Sequence, residues 1–147
     1  MKKPLVIAGL IAINSIISCT SVKDLPIAVN EAFARKFSNA DNLKWEKEND
    51  DEWEAEFKLD GEEYSANFTN DGQWLETEHE VEQGKVPQNI KAVLTDKYPD
   101  FKLKETEISE TAEGKFYEFE LKTNGTLLEV AIDETGKIVK TEEAEND

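Results

Sequence analysis

Apolar and polar residues alternate over Trp53-Glu-Ala-Glu-Phe57-Lys-Leu59 and again over Tyr64-Ser-Ala-Asn-Phe68, with Asp60-Gly61 between the two runs. Period-two alternation on both sides of a two-residue turn predicts a β-hairpin. The figure returns at an offset of 64 residues as Tyr117-Glu-Phe-Glu-Leu121, Asn124-Gly125 and Leu128-Glu-Val-Ala-Ile132. Ahead of each hairpin the period lengthens to that of a helix. Leu25-Pro26 opens a segment with Val29, Ala32, Phe33 and Phe37, and Val86-Pro87 opens another with Ile90, Val93, Leu94 and Tyr98, an offset of 61. Proline fits the first turn of a helix, where its missing N–H has no intrahelical partner to lose. Further strands are expected over 43–48, 74–79, 101–108 and 137–141, the turns Asn70-Asp71-Gly72 and Glu134-Thr135-Gly136 also aligning at 64. The expected fold is α+β: tandem α-β-β-β-β repeats over 25–82 and 85–142, forming an antiparallel sheet with two helices packed on one face.

Tight turns fix register. Trp53 should face Phe68, Phe57 should face Tyr64, Phe119 should face Val130, and Leu121 should face Leu128. These large side chains and the apolar stripes of both helices form one shared core, which leaves the other face of the sheet to solvent. On that open face the same counting places Glu54 and Glu56 in the first half. In the second it puts Glu120 directly opposite Glu129 and Glu118 opposite Ala131, with Phe116 and Leu127 pointing outward. Like charges across a strand pair destabilise by about 0.2–1 kcal/mol. Acids beside apolar contacts suit an interface for a basic partner. The same face is equally accounted for as a solvated surface kept acidic for solubility.

Composition adds a compartment. The chain carries 33 acidic against 17 basic residues, a net charge of −16, which excludes non-specific nucleic-acid binding. Its 13 aromatics all follow residue 18, enough to build a core in an otherwise polar chain. Before them, Lys2-Lys3 and the apolar run 4–17 read as a secretory signal, too short to span a membrane comfortably. The run ends at Ile16-Ile17-Ser18-Cys19, which resembles a bacterial lipobox, with Cys19 as the lipidated first residue after cleavage. Residues 1–18 are then the signal, 19–24 the lipidated tether, and 143–147 an acidic tail. Cys19 is the only cysteine, so the exported domain folds without an intrachain disulfide. Several acyl chains suffice for a membrane anchor at about 0.8 kcal/mol per buried methylene. The expected place is the cell envelope, on the outer membrane or the periplasmic side.

Candidate chemistry is sparse. His79 is the one histidine, expected in solvent on a strand beside Glu78 and Glu80. No set of nucleophile, base and orienting group is present. Carboxylate pairs carry little information among 33 acids. Asn70-Asp71-Gly72 lacks the alternating acids and closing glutamate of a calcium loop. The sequence calls for no catalytic residue, no metal and no cofactor.

The anchored tandem unit resembles the PepSY-like, β-lactamase-inhibitor-like family of Bacteroidota envelope lipoproteins. The likeness covers residues 25–142. It rests on Tyr64-Ser-Ala-Asn-Phe68 with Asn70-Asp-Gly-Gln-Trp-Leu-Glu-Thr-Glu78, on Val86-Pro-Gln-Asn-Ile90 leading to Tyr98-Pro99, and on Tyr117-Glu-Phe-Glu-Leu121 with Asp133-Glu-Thr-Gly136. The resemblance implies a continuous antiparallel sheet under two helices, and binding or inhibition without catalysis. Inhibitors of that family close loops with disulfides, which this chain, with Cys19 alone, does not share. The function expected is a non-enzymatic envelope lipoprotein that binds a protein or basic peptide through the open face, at Glu54, Glu56, Phe116, Glu118, Glu120, Leu127 and Glu129. The alternative is a periplasmic chaperone-like or protease-regulating structural module.

Overall fold

The computed structural model describes residues 24–144. The expected signal, Cys19 and the end of the expected acidic tail lie outside them. The element order is α1 (Ile27–Lys36), β1 (Asp41–Lys47), β2 (Glu52–Leu59), β3 (Glu62–Thr69), β4 (Trp74–Glu80), α2 (Gln88–Lys97), β5 (Lys102–Thr111), β6 (Gly114–Thr123), β7 (Thr126–Asp133) and β8 (Ile138–Glu143). All eight strands form one sheet in chain order, each pair antiparallel.

The turns explain the register. Asp60 and Gly61 have φ of 52° and 90°, and Asn124 and Gly125 have 50° and 85°. Two consecutive left-handed residues make the turn whose twist matches the flanking strands. Outward from them Phe57 pairs with Tyr64 and Trp53 with Phe68, and in the second half Leu121 pairs with Leu128 and Phe119 with Val130, as the alternation predicts. Helices and hairpins repeat at different offsets because β5 has ten residues where β1 has seven.

Both helices lie on the face expected of them, yet they do not share one core. Val29, Ala32 and Phe33 of α1 pack with Trp53, Phe57 and Phe68, Phe33 meeting Phe57 edge-on at 5.0 Å. Ile90, Leu94 and Tyr98 of α2 pack with Phe119, Leu121, Val130 and Ile132 in a separate cluster. A ten-residue helix is about 15 Å long and strands are about 4.8 Å apart, so each helix covers only its own half of the sheet. Between the clusters the helix-side face is polar, with Thr77 opposite Glu110 and Glu110 opposite Lys115.

His79 corrects a second expectation. It is half-buried rather than solvated, and its ring stacks on Tyr64 at 4.5 Å. Alternation along β4 turns Glu78 and Glu80 to one face and His79 to the other, beside Ile108. Burial lowers its pKa. The equivalent β3–β4 and β7–β8 turns also approach the helices. A Cβ on Gly72, at φ 84°, would stand 2.5 Å from the Ala28 carbonyl oxygen.

Candidate functional site

The face opposite the helices is where the sequence-selected residues fall. Cross-strand pairing runs Glu54–Asn67–Glu76–Thr111 in one row and Glu56–Ser65–Glu78–Ser109–Phe116–Asp133 in the next. A third row is Glu80–Glu107–Glu118–Ala131–Lys140, and a fourth is Glu105–Glu120–Glu129–Glu142. Strand alternation thus collects the acids that the sequence scatters over six strands.

This face is not the solvated surface expected. Glu118 is 2% exposed, Glu78 5%, Phe116 5% and Glu54 7%, although no helix covers them. Glu56, Glu107, Glu120, Leu127 and Glu129 are half-buried. The sheet itself supplies the burial. Residues this buried on a face without a helix are covered by the long side chains of neighbouring strands, which pack against one another and make the middle of the face a sheltered hollow. Phe116, Ala131 and Val139 form a small apolar island there.

Crowded, desolvated carboxyls resist ionisation. Burial, with the charges of Glu76, Glu118 and Glu107, pushes Glu78 up to about 10. Burial and Glu76 push Glu118 up to about 8, with Lys140 acting against them. Glu107 and Glu54 each rise to about 7, again chiefly through burial. Lysines enter from the margins: Lys140 Nζ lies 3.4 Å from Glu129 and 3.4 Å from Glu142, Lys44 lies 3.7 Å from Glu56, and Lys58 lies 3.1 Å from Glu63.

The seven candidate residues therefore divide. Glu118, Glu120, Glu129, Phe116 and Leu127 lie together on β6 and β7, with Glu120 directly opposite Glu129 as expected. Glu54 and Glu56 lie on β2, and three strands separate them from β6. Glu76, Glu78 and Glu107 fill that gap, with Asn67 and Ser109 between them. The sequence reading missed these five. Their pattern was present in the alternation of 74–80 and 102–111, but no tight turn fixes how β4 and β5 pair, since α2 intervenes. Among the described residues no group of three or more His, Cys, Asp or Glu is arranged to hold a metal ion.

A family model described as "Putative beta-lactamase-inhibitor-like, PepSY-like" matches residues 52–140. Among solved structures, a BLIP-like protein from Bacteroides fragilis is similar with a TM-score of 0.73 and 20% identity, over 82% of this chain and 86% of that one. A DUF2874 family protein from Bacteroides uniformis gives 0.72 and 16%, over 80% and 88% of the two chains. Another from Bacteroides ovatus gives 0.72 and 16%, over 80% and 86%. At these identities the likeness is one of fold. No curated protein matches the sequence. The family model spans more than half of the chain, both hairpins included, and the chain belongs to the PepSY-like, β-lactamase-inhibitor-like family.

Proposed function

We propose that this protein is a non-enzymatic, exported lipoprotein of the cell envelope that binds another protein, or a basic peptide, through the helix-free face of its sheet, as an inhibitor-like module. One observation carries the reading: a single face gathers glutamates of β2 and of β4 to β8 into adjoining rows, and the lysines that extend these rows, Lys44 and Lys140, stand at their outer ends on β1 and β8. Such a surface attracts cationic partners over long range and gains most from a ligand that replaces lost solvation with opposite charge. The family is named for inhibitor-like proteins, which agrees with a module that acts by occupying a partner. Export and anchoring rest on Lys2-Lys3, the apolar run and Cys19.

Titration calorimetry of the purified protein with a short lysine- and arginine-rich peptide tests the binding face. The expected result is saturable binding that weakens as salt rises, with no binding of an acidic peptide of equal length. Absent or salt-independent binding overturns the reading, and equal capture of any unfolded chain favours the chaperone-like alternative. The anchor has its own test. Cys19→Ser should leave the precursor uncut or move the protein out of the membrane fraction, and unchanged fractionation after a carbonate wash refutes it.

A further inference from the structure

We propose that the hollow of the helix-free face holds a discrete pocket for one arginine side chain of the partner, built by Glu78 and Glu118 with Asn67 and Ser109, and that the guanidinium enters in exchange for a proton. The proposal rests on the reading of this face as a protein-binding surface and specifies what it recognises.

Four adjacent strands bring the groups together. Glu78 on β4 is opposite Ser65 on β3 and Ser109 on β5, Asn67 is opposite Glu76, and Glu118 on β6 is opposite Glu107. Charge alone would not make this a site. The second observation concerns neutral groups: Asn67 Oδ1 and Ser109 Oγ have no hydrogen-bond partner among the described residues, though Asn67 is 2% exposed and Ser109 is 0% exposed. Glu78 Oε1, Glu107 Oε2 and Glu118 Oε1 are likewise buried without a hydrogen-bond partner among the described residues. Folded proteins pair the great majority of such atoms, because an unsatisfied buried polar group is destabilising. Here several such oxygens lie on adjacent strands of one face, and each can accept a hydrogen bond. What they lack is a set of donors carrying positive charge.

A guanidinium meets that need. It presents five N–H donors in a plane, forms bidentate pairs with carboxylates, and is more weakly hydrated than an ammonium, so it enters a desolvated hollow at lower cost. A bare divalent ion does not fit, because the described carboxylates do not converge as ligands.

The exchange of protons follows from the surroundings. The hollow is faced by Glu46 from β1, Glu54 and Glu56 from β2, and Glu76 and Glu80 from β4. From the other side come Glu105 and Glu107 on β5, Glu120 on β6, Glu129 on β7 and Lys140 on β8. Burial and this negative field hold protons on Glu78 and Glu118 near neutral pH. An arriving guanidinium reverses the field. The carboxyl O–H breaks, the proton passes to solvent, and a carboxylate–guanidinium pair remains.

The test is calorimetric titration of the purified protein with acetyl-Gly-Arg-Gly-amide, with lysine and citrulline counterparts, in two buffers of different ionisation enthalpy. The arginine peptide should bind with release of about one proton near pH 7.5 and tighten by up to about tenfold per pH unit. The lysine peptide should bind more weakly, and the citrulline peptide not at all. Glu78→Gln with Glu118→Gln should abolish the proton release and weaken binding at least about tenfold, while thermal melting verifies that the variant folds. If that double variant binds the arginine peptide with unchanged affinity and proton release, or if citrulline binds as well as arginine, the pocket is refuted while the binding face stands. If neither this peptide nor the longer basic peptide binds, the binding face falls as well.

Discussion

Glu107 lies directly opposite Glu118 across β5 and β6, two carboxyls side by side in the hollow of the sheet. The pair gives stability a pH dependence with a definite sign. A carboxyl whose pKa is higher in the folded than in the unfolded chain holds its proton more tightly when folded. Its stabilising contribution is therefore complete below the unfolded value of 4.5 and is lost as pH rises through about 7 for Glu54 and Glu107, about 8 for Glu118 and about 10 for Glu78. Each retained proton contributes a slope of about 1.4 kcal/mol per pH unit within its window. Urea unfolding should show a midpoint that falls steadily from about pH 5 to about pH 8. A flat or rising profile would show that the cluster ionises freely.

Amide substitutions in the same cluster should separate by position. Glu118→Gln removes a carboxyl whose ionisation is opposed by burial, so it should stabilise the protein at about pH 8 and change little at about pH 5. Glu129 is different, since its carboxylate pairs with Lys140 at 3.4 Å and both side chains are mostly buried, 18% and 14% exposed. Glu129→Gln should therefore cost about 1 kcal/mol at neutral pH despite relieving its repulsion with Glu120. Equal shifts for the two variants in parallel urea titrations would contradict the assignment.

Phe57→Ala and Leu121→Ala each empty a buried site and should cost about 2–5 kcal/mol. Because the two side chains lie in separate clusters, the loosened region should differ. Hydrogen exchange should quicken first in β1–β3 for Phe57→Ala and first in β6 and β7 for Leu121→Ala. Uniform acceleration across all eight strands in both variants would show that the clusters act as one core.

Two glycines at left-handed φ provide a matched pair. Gly61 has open space around a hypothetical Cβ, so Gly61→Ala should cost only the conformational penalty, about 1–2 kcal/mol. Gly72→Ala adds a collision with the Ala28 carbonyl of α1 and should cost at least about 2 kcal/mol more, read from urea midpoints. Similar losses would mean that the turn moves away from the helix without resistance.

The hairpins could be read residue by residue because Asp60-Gly61 and Asn124-Gly125 leave one way to count outward. The same counting put Glu120 across from Glu129 and both Phe116 and Leu127 on the helix-free face. It could not show that Glu54, Phe116 and Glu118 are buried there, since alternation tells which way a side chain points and not how closely its neighbours cover it. Nor could it bring Glu78 beside Ser109, a pairing made across α2, where backbone and packing rather than a turn set the register. His79 was misplaced for a simpler reason: its acidic neighbours suggested water, whereas parity along β4 sends it to Tyr64. The single core expected from one sheet became two because neither helix is long enough to bridge the halves.

The strand order has a consequence for assembly. In the first repeat the outer side of β4 pairs with β5, and the corresponding side of β8, its counterpart in the second repeat, has no strand beyond it among the described residues. The architecture is thus an open-ended polymer stopped after two units, with two borders, unpaired among the described residues, that could dock one molecule onto the next. Charge and geometry oppose that growth. β8 is six residues long and closes on Lys140, Glu142 and Glu143, while β1 begins with a register shift between Asp41 and Lys44 around Asn42 at φ 56°. A short charged border facing a kinked one is a poor template for head-to-tail filaments, a safeguard suited to a domain with this much exposed backbone.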